Sequence, residues 1–90
     1  MKADKETVLR LLKTASGQLA GIMKMIDEDR YCIDISNQLL ATESILRKAN
    51  TEILRAHMDS CVRDSFESRD PEQIDVKLDE IFHILEKLSR

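Results

Sequence analysis

Residues 32–66 read CIDISNQLLATESILRKANTEILRAHMDSCVRDSF, and this stretch decides the fold. It contains neither glycine nor proline, the residues that most often interrupt a helix. A mostly apolar stripe recurs through it at alternating steps of four and three residues, which is the period of one helix face. Its members are Ile35, Leu39, Thr42, Leu46, Ala49, Ile53 and Ala56. The pattern predicts one long helix over about residues 32–66.

A second helix is predicted before this stretch, over about residues 4–29. Its stripe is Val8, Leu12, Ala15, Leu19, Ile22 and Ile26. Gly17 and Gly21 lie one turn apart inside it, and we expect them to permit close helix packing. The polar segment 28–31 separates the two helices, and so short a corner forces them to pack antiparallel.

A third helix is predicted over about residues 71–89. Asp70 supplies an N-cap and Pro71 occupies the first helical position, where a missing N–H costs nothing. The apolar period then continues through Ile74, Leu78, Ile81, Leu85 and Leu88. The expected fold class is therefore all-α, with three helices in a single domain over residues 1–90.

The length of the chain predicts association. A chain of 90 residues buries a modest fraction of its surface, and one antiparallel pair with a short third helix leaves the far side of the long helix uncovered. An antiparallel four-helix-bundle dimer, assembling into a dimer of dimers, would cover it. The sequence shows neither a bilayer-spanning apolar run nor a secretion signal, so we expect a cytoplasmic protein with no membrane partner.

Charge is distributed unevenly along the chain. The formal net charge is −3, which argues at first against nucleic acid. Residues 1–63 nevertheless hold ten Lys/Arg against nine Asp/Glu, whereas residues 64–90 hold four against eight. Any DNA contact should therefore come from the first two helices.

Three side chains suggest a metal site. His57 and Cys61 are four residues apart on the long helix and project from one face. Cys32 lies 25 residues before His57, about 38 Å along a continuous helix, which is too far to share an ion within one chain. Two such helices packed antiparallel about an axis near Ile45 would set Cys32 of one chain opposite the His57/Cys61 pair of the other.

The donor set limits the choice of ion. Two thiolates and one imidazole form a soft, low-coordinate set that selects Cu(I) and suits Mg²⁺ or Ca²⁺ poorly. Zn²⁺ is tolerated but would normally need a fourth ligand, and none is evident in the sequence. His83 lies between the apolar residues Phe82 and Ile84, and we interpret it as structural or surface-exposed.

Several segments resemble the CsoR/RcnR/FrmR family of metal- and reactive-species-sensing transcriptional repressors. The similarity is strongest in segments 29–34, 38–50 and 56–61, and segment 17–22 is similar to the family's first-helix signature. The spacing of Cys32, His57 and Cys61 is that of the copper-sensing branch, in which the set binds Cu(I) across the dimer interface. Tyr31 resembles a residue that supports the ligands in that branch.

The resemblance implies a dimer of dimers that binds operator double-stranded DNA without metal and releases it when the effector binds. It implies phosphate contacts from basic residues of the first two helices: Arg10, Lys13, Arg47 and Lys48, with Lys5 and Lys24 as weaker candidates. Two departures stand out. Leu11 occupies a position where the family usually has arginine. The copper sensors also carry an acidic residue on the third helix that supports allosteric coupling, and in this chain Asp75, Val76 and Lys77 compete for its position.

Alternative functions use the same residues. A sister branch senses persulfides by linking two cysteines across the interface, and it needs only Cys32 and Cys61. A copper carrier would expose its ligands for transfer, and a purely structural helical oligomer would leave their spacing to chance. An enzyme is disfavoured because His57 and Cys61 alone supply neither a pocket nor an oxyanion hole.

Overall fold

The computed structural model describes residues 1–88, which form three helices: α1 (Lys5–Asp27), α2 (Cys32–Ser68) and α3 (Pro71–Leu88). The described residues contain no strand, so the all-α, three-helix prediction is confirmed. Helix α1 ends two residues before the expected position, and α2 extends two residues further than expected. Residue 89, the expected last residue of the third helix, lies outside the described part of the chain.

Helix α1 packs antiparallel against the first part of α2. Its buried face consists of Val8, Ala15 and Ile22, spaced by seven residues along the predicted stripe. On α2 the matching buried positions are Thr42 and Ala49. These are mostly small side chains, which allows the two helix axes to approach closely.

The corner between α1 and α2 is closed by backbone hydrogen bonds. The Arg30 amide donates to the Met25 carbonyl at 3.0 Å, while Asp29 adopts a left-handed backbone conformation with φ 51°. These bonds satisfy carbonyls that the end of α1 would leave without partners. The chain therefore reverses within four residues.

Helix α3 folds back along the second part of α2. Arg69 ends α2 in the left-handed region with φ 56°. The Asp70 carboxylate then accepts a hydrogen bond from the Glu72 amide at 3.0 Å, and α3 begins at Pro71. The predicted N-cap and first helical position are confirmed.

The three helices form a single layer. The chain measures 59 × 27 × 12 Å, and its smallest dimension is about the diameter of one helix. Its radius of gyration is 18.1 Å, against about 12 Å for a compact domain of this length. Large apolar side chains of all three predicted stripes are therefore exposed, among them Leu12, Leu19, Ile26, Leu39, Leu46, Leu78 and Leu85.

The two glycines of α1 do not contact another helix of the same chain. A Cβ placed at Gly17 or Gly21 would meet no atom within 4 Å, so the expected close packing at these glycines is wrong within one chain. Both lie on the side of α1 that faces away from α2.

No helix in residues 1–88 is long and apolar enough to cross a membrane.

Candidate metal centre and basic surface

His57 and Cys61 lie side by side on α2, in its second half. The Cys61 Sγ is 3.9 Å from Nδ1 of His57 and 3.5 Å from Nε2. The residues are one helical turn apart, so the backbone itself brings the thiol and the ring together. Both side chains are partly exposed, and the Cys61 thiol forms no disulfide.

A carboxylate on α3 holds the imidazole ring. Nε2 of His57 lies 2.8 Å from Oε1 of Glu80. A carboxylate on one ring nitrogen favours the tautomer with hydrogen on that nitrogen, which leaves the Nδ1 lone pair available to an ion. Glu80 therefore orients the ring and links it to α3.

Lys77 completes this network from the same helix. Its Nζ lies 3.2 Å from Oε2 of Glu80, so the two carboxylate oxygens serve two partners. The hydrogen bond from His57, followed by that from Lys77, lowers the pKa of Glu80. The hydrogen bond to Glu80 and its charge, with a smaller contribution from the charge of Cys61, raise the pKa of Lys77. An ammonium group thus lies within electrostatic reach of the candidate thiolate.

Glu80 is the site residue that the sequence analysis missed. Asp75, Val76 and Lys77 were the candidates for the acidic residue of the third helix. Of these, Lys77 reaches the site, but as a cation, and Glu80, one turn later, supplies the carboxylate. The register of α3 against α2 pairs residue 61 with residue 77 and residue 57 with residue 80. The sequence signal was the position of Glu80 next to Ile81 in the inward stripe.

Cys32 is not brought to this cluster within one chain. It is the first residue of α2 and is exposed, while His57 and Cys61 lie in the second half of the same continuous helix. Tyr31, at the N-cap of α2, is 67% exposed. Within residues 1–88, no group of three or more His, Cys, Asp or Glu side chains in one chain could hold a metal ion.

The predicted basic residues are all exposed. Arg10 and Lys13 lie on the side of α1 away from α2, with Lys24 further along it and Lys5 at its start. Arg47 and Lys48 lie on α2 beside an open groove between the two helices, which Leu11 also lines. Arg47 pairs with Glu43 at 3.1 Å, and Lys24 pairs with Glu28 at 3.9 Å. His83 is exposed, with its side chain 77% accessible.

A model of the metal-sensitive transcriptional repressor family matches residues 4–87. The chain belongs to this family. The match covers all but the ends of the sequence, and the predicted resemblance is confirmed. Members of the family are transcriptional repressors, in agreement with the prediction that the chain is not an enzyme.

Individual relatives give the same assignment. The chain is 34% identical over 79 residues to the copper-sensing transcriptional repressor CsoR of Bacillus subtilis (strain 168), an alignment that covers 88% of this chain and 78% of the relative. It is 44% identical over 57 residues to the copper-sensing repressor CsoR of Mycobacterium ulcerans (strain Agy99), covering 63% of this chain. The chain spans only 49% of that mycobacterial relative.

A solved structure of the family has the same fold. The crystal structure of the copper-sensing repressor CsoR with Cu(I) from Geobacillus thermodenitrificans NG80-2 superposes with a TM-score of 0.81 at 29% identity. The superposition covers 100% of this chain and 94% of that one. The two chains therefore share the same three-helix fold.

Proposed function

We propose that this chain is a copper-responsive transcriptional repressor of the cytoplasm. In this proposal the metal-free oligomer binds operator DNA and releases it when Cu(I) binds Cys61, His57 and Cys32 of the partner subunit. The observation that carries the proposal is the His57–Cys61 pair, whose ring is tied by Glu80 to another helix. The copper-sensing relatives support the choice of effector.

The donors fit a soft monovalent ion. The Cys61 Sγ lies within 3.9 Å of both ring nitrogens of His57, so these two side chains could hold one ion together. A third donor must come from outside the chain, and Cys32 is an exposed thiol. The Cys–His–Cys set is soft and low-coordinate, as Cu(I) prefers.

The apolar surface supports a second chain at this position. A layer one helix thick, with leucines exposed on α1, α2 and α3, buries too little apolar area to be stable alone. Antiparallel pairing of two α2 helices about an axis near Ile45 would bury part of this surface. The same pairing would bring Cys32 of the partner subunit to the His57/Cys61 pair, and pairing of two such dimers would give a tetramer.

In this proposal, Cu(I) binding is coupled to DNA release through α3 and the basic surface of α1 and α2. The His57 ring and the two thiols would hold Cu(I), which would supply positive charge at this site when bound. Because Glu80 joins that ring to α3, a change in ring position biases how α2 and α3 pack. An effector shifts such an equilibrium only by its differential affinity for the two states. Arg10, Lys13, Arg47 and Lys48 would supply the phosphate contacts that break when the DNA is released.

Persulfide sensing is the second candidate, favoured by two free thiols, the exposed Cys32 and the partly exposed Cys61. A thiol must be unpaired and accessible to react with a persulfide. A persulfide RSSH would transfer its outer sulfur to one cysteine and release RSH. The other cysteine would then displace hydrosulfide and leave a disulfide between Cys32 and Cys61 of the partner subunit.

The test is an electrophoretic mobility shift with duplex DNA selected from a random pool by the metal-free protein. We expect a shift without metal, loss of the shift with Cu(I), and recovery when a Cu(I) chelator is added. No selection of any DNA would refute the repressor proposal. A shift that is unaffected by Cu(I) but lost with persulfide would assign the second candidate.

A further inference from the structure

We propose that Lys77 is a positioning residue that makes the candidate metal centre favour Cu(I) over Zn²⁺, because it keeps the Glu80 carboxylate from serving as a metal ligand. The inference rests on the proposed copper-responsive function and deepens it, because it names a residue that sets the choice of ion. It concerns a residue that donates nothing to the ion itself and acts through its neighbour on α3.

Glu80 is a further donor that lies beside the thiol and the imidazole. Nε2 of His57 is 3.5 Å from the Cys61 Sγ and 2.8 Å from Oε1 of Glu80, so the thiol and the carboxylate lie next to the same ring nitrogen. All three side chains line one small cavity between α2 and α3, and Lys77 lines it as well. Zn²⁺ usually takes four ligands, and carboxylate oxygen is one of its common donors. Glu80 is therefore the group of this chain that would complete a zinc site.

Both oxygens of this carboxylate already have partners. Oε1 of Glu80 lies 2.8 Å from Nε2 of His57, and Oε2 lies 3.2 Å from Nζ of Lys77. To turn toward an ion, the carboxylate would have to break a charge-assisted hydrogen bond, which is stronger than a neutral one. As the side chains are arranged within residues 1–88, His57, Cys61 and Glu80 do not form a group that could hold a metal. The carboxylate is thus present at the site but withheld from it.

Lys77 is well placed to hold the carboxylate in this way. It precedes Glu80 by three residues on α3, so the two side chains are neighbours on the helix surface. Their side chains are 35% and 36% exposed, so solvent and salt screen the pair less than they screen a fully exposed one. The ammonium group therefore competes with any ion for the Oε2 atom of Glu80.

This arrangement affects the two ions differently. Two thiolates and one imidazole are sufficient for Cu(I), which accepts a soft, low-coordinate set, so the Lys77–Glu80 hydrogen bond can remain intact. A Zn²⁺ site must either break that bond or go without a fourth protein ligand. Charge acts in the same direction, because Cu(I) with two thiolates is negatively charged whereas Zn²⁺ with two thiolates is neutral. A nearby ammonium group stabilises the negatively charged form alone.

The test measures the affinities of the metal-free protein for Cu(I) and for Zn²⁺, each by competition with a chelator. Lys77→Leu removes the ammonium group and adds no metal donor. We expect its Zn²⁺ affinity to rise by roughly tenfold or more, as for other changes beside metal ligands. Its Cu(I) affinity should fall by no more than about fivefold, the range of a partly exposed ion pair. Lys87→Leu, the same change further along α3 and outside the cavity, should alter neither affinity.

Two more variants assign the effect to the carboxylate. Lys77→Leu combined with Glu80→Gln lacks the withheld ligand, so the gain in Zn²⁺ affinity should disappear. Lys77→Arg keeps a cationic donor for Oε2 of Glu80, so it should retain the wild-type ratio of the two affinities. A purely structural role of Lys77 would change both affinities together and would leave their ratio constant.

The possible failures are distinguishable. An unchanged ratio in Lys77→Leu, or a Zn²⁺ gain that persists in the double variant, would overturn the inference about Lys77 and leave the copper-responsive proposal intact. Failure of the wild type to bind Cu(I) would refute the copper-responsive proposal itself. Circular dichroism and sedimentation check the folding and association of each variant, and Lys77→Ala takes the place of Lys77→Leu if the latter is misfolded.

Discussion

Nε2 of His57 on α2 and Oε1 of Glu80 on α3 lie 2.8 Å apart, which makes the imidazole beside Cys61 a shared element of two helices. Displacement of the ring away from α3 would lengthen this contact. Glu80 in turn binds Lys77, so the α3 side of the link is itself held in place. The pair therefore offers a physical route from the candidate metal centre to the helix packing.

Glu80→Gln should separate ion binding from DNA release. The amide keeps the shape of the side chain but removes the charge that favours hydrogen on Nε2. We expect Cu(I) affinity, measured by competition with a chelator, to fall by a small factor. The ratio of the DNA affinities of the metal-free and Cu(I)-loaded protein should fall by a larger factor. Asp79→Asn, its neighbour outside the network, is the control. Equal coupling in Glu80→Gln and wild type would mean that α3 does not transmit the signal.

The same contact predicts a pH dependence of α3 packing. The pKa of Glu80 is lowered by the hydrogen bonds from His57 and Lys77. A lowered pKa in the folded state means that the stabilisation is present above the ordinary carboxylate pKa and is lost as pH falls through the lowered value. The protection factors of α3 amides, which are the observed exchange rates corrected for the intrinsic rate at each pH, should therefore fall at acidic pH in the wild type. The change should be smaller in Glu80→Gln; an identical pH response in the two proteins would contradict this role.

His57→Ala distinguishes copper sensing from persulfide sensing. Both chemistries need Cys32 and Cys61, but only the metal uses the imidazole. For copper we expect the variant to keep part of its Cu(I) affinity while losing most of the coupling to DNA, a coupling that is typically about 1–3 kcal/mol. For persulfide, DNA release should persist and be reversed by reductant. The measurement is DNA release from wild type and variant with each effector; if the wild type responds to persulfide alone and the variant matches it, the copper assignment is wrong.

Thr42 forms a side-chain hydrogen bond between α2 and α1 that helps to fix the register of the two helices. The residue is 2% exposed, and its hydroxyl lies 2.8 Å from Oε1 of Gln18 and 3.1 Å from the Gln38 carbonyl. Thr42→Val keeps the shape but removes the donor, so the free energy of unfolding should fall by about 1–3 kcal/mol. The measurement is urea unfolding at one fixed chain concentration, because association contributes to stability. Thr51→Val, at an exposed position on the same helix, should change it by less than about 0.5 kcal/mol.

Replacing a glycine of α1 with alanine should raise the stability of the protein. Gly17 has open space where a Cβ would lie, so Gly17→Ala should stabilise the helix by roughly 0.5–1 kcal/mol without a clash. Thermal unfolding at fixed concentration measures this, with Gly21→Ala as an independent repeat. A loss of stability or a smaller oligomer in both variants would indicate that another chain packs on this face.

The three helices were determined by the sequence itself, and their ends to within two residues. An apolar period of 3.6 residues, a run of 35 residues without glycine or proline, and the Asp70–Pro71 start signal are local properties that place each helix along the chain. The pairing of His57 with Cys61 belongs to the same class, because a spacing of four residues on one helix needs no tertiary information.

Other relationships depend on how separate helices pack against one another. Glu80 was missed because its partner lies 23 residues away, and a shift of α3 by one residue would turn a different side chain toward His57. The groove beside Arg47 and Lys48 likewise exists only because α1 lies antiparallel to α2 in one register, which Thr42 and Gln18 help to fix. Periodicity identifies which face of a helix is buried, but the relative positions of two helices along their axes depend on side-chain packing between them, and only the tertiary structure decided those positions.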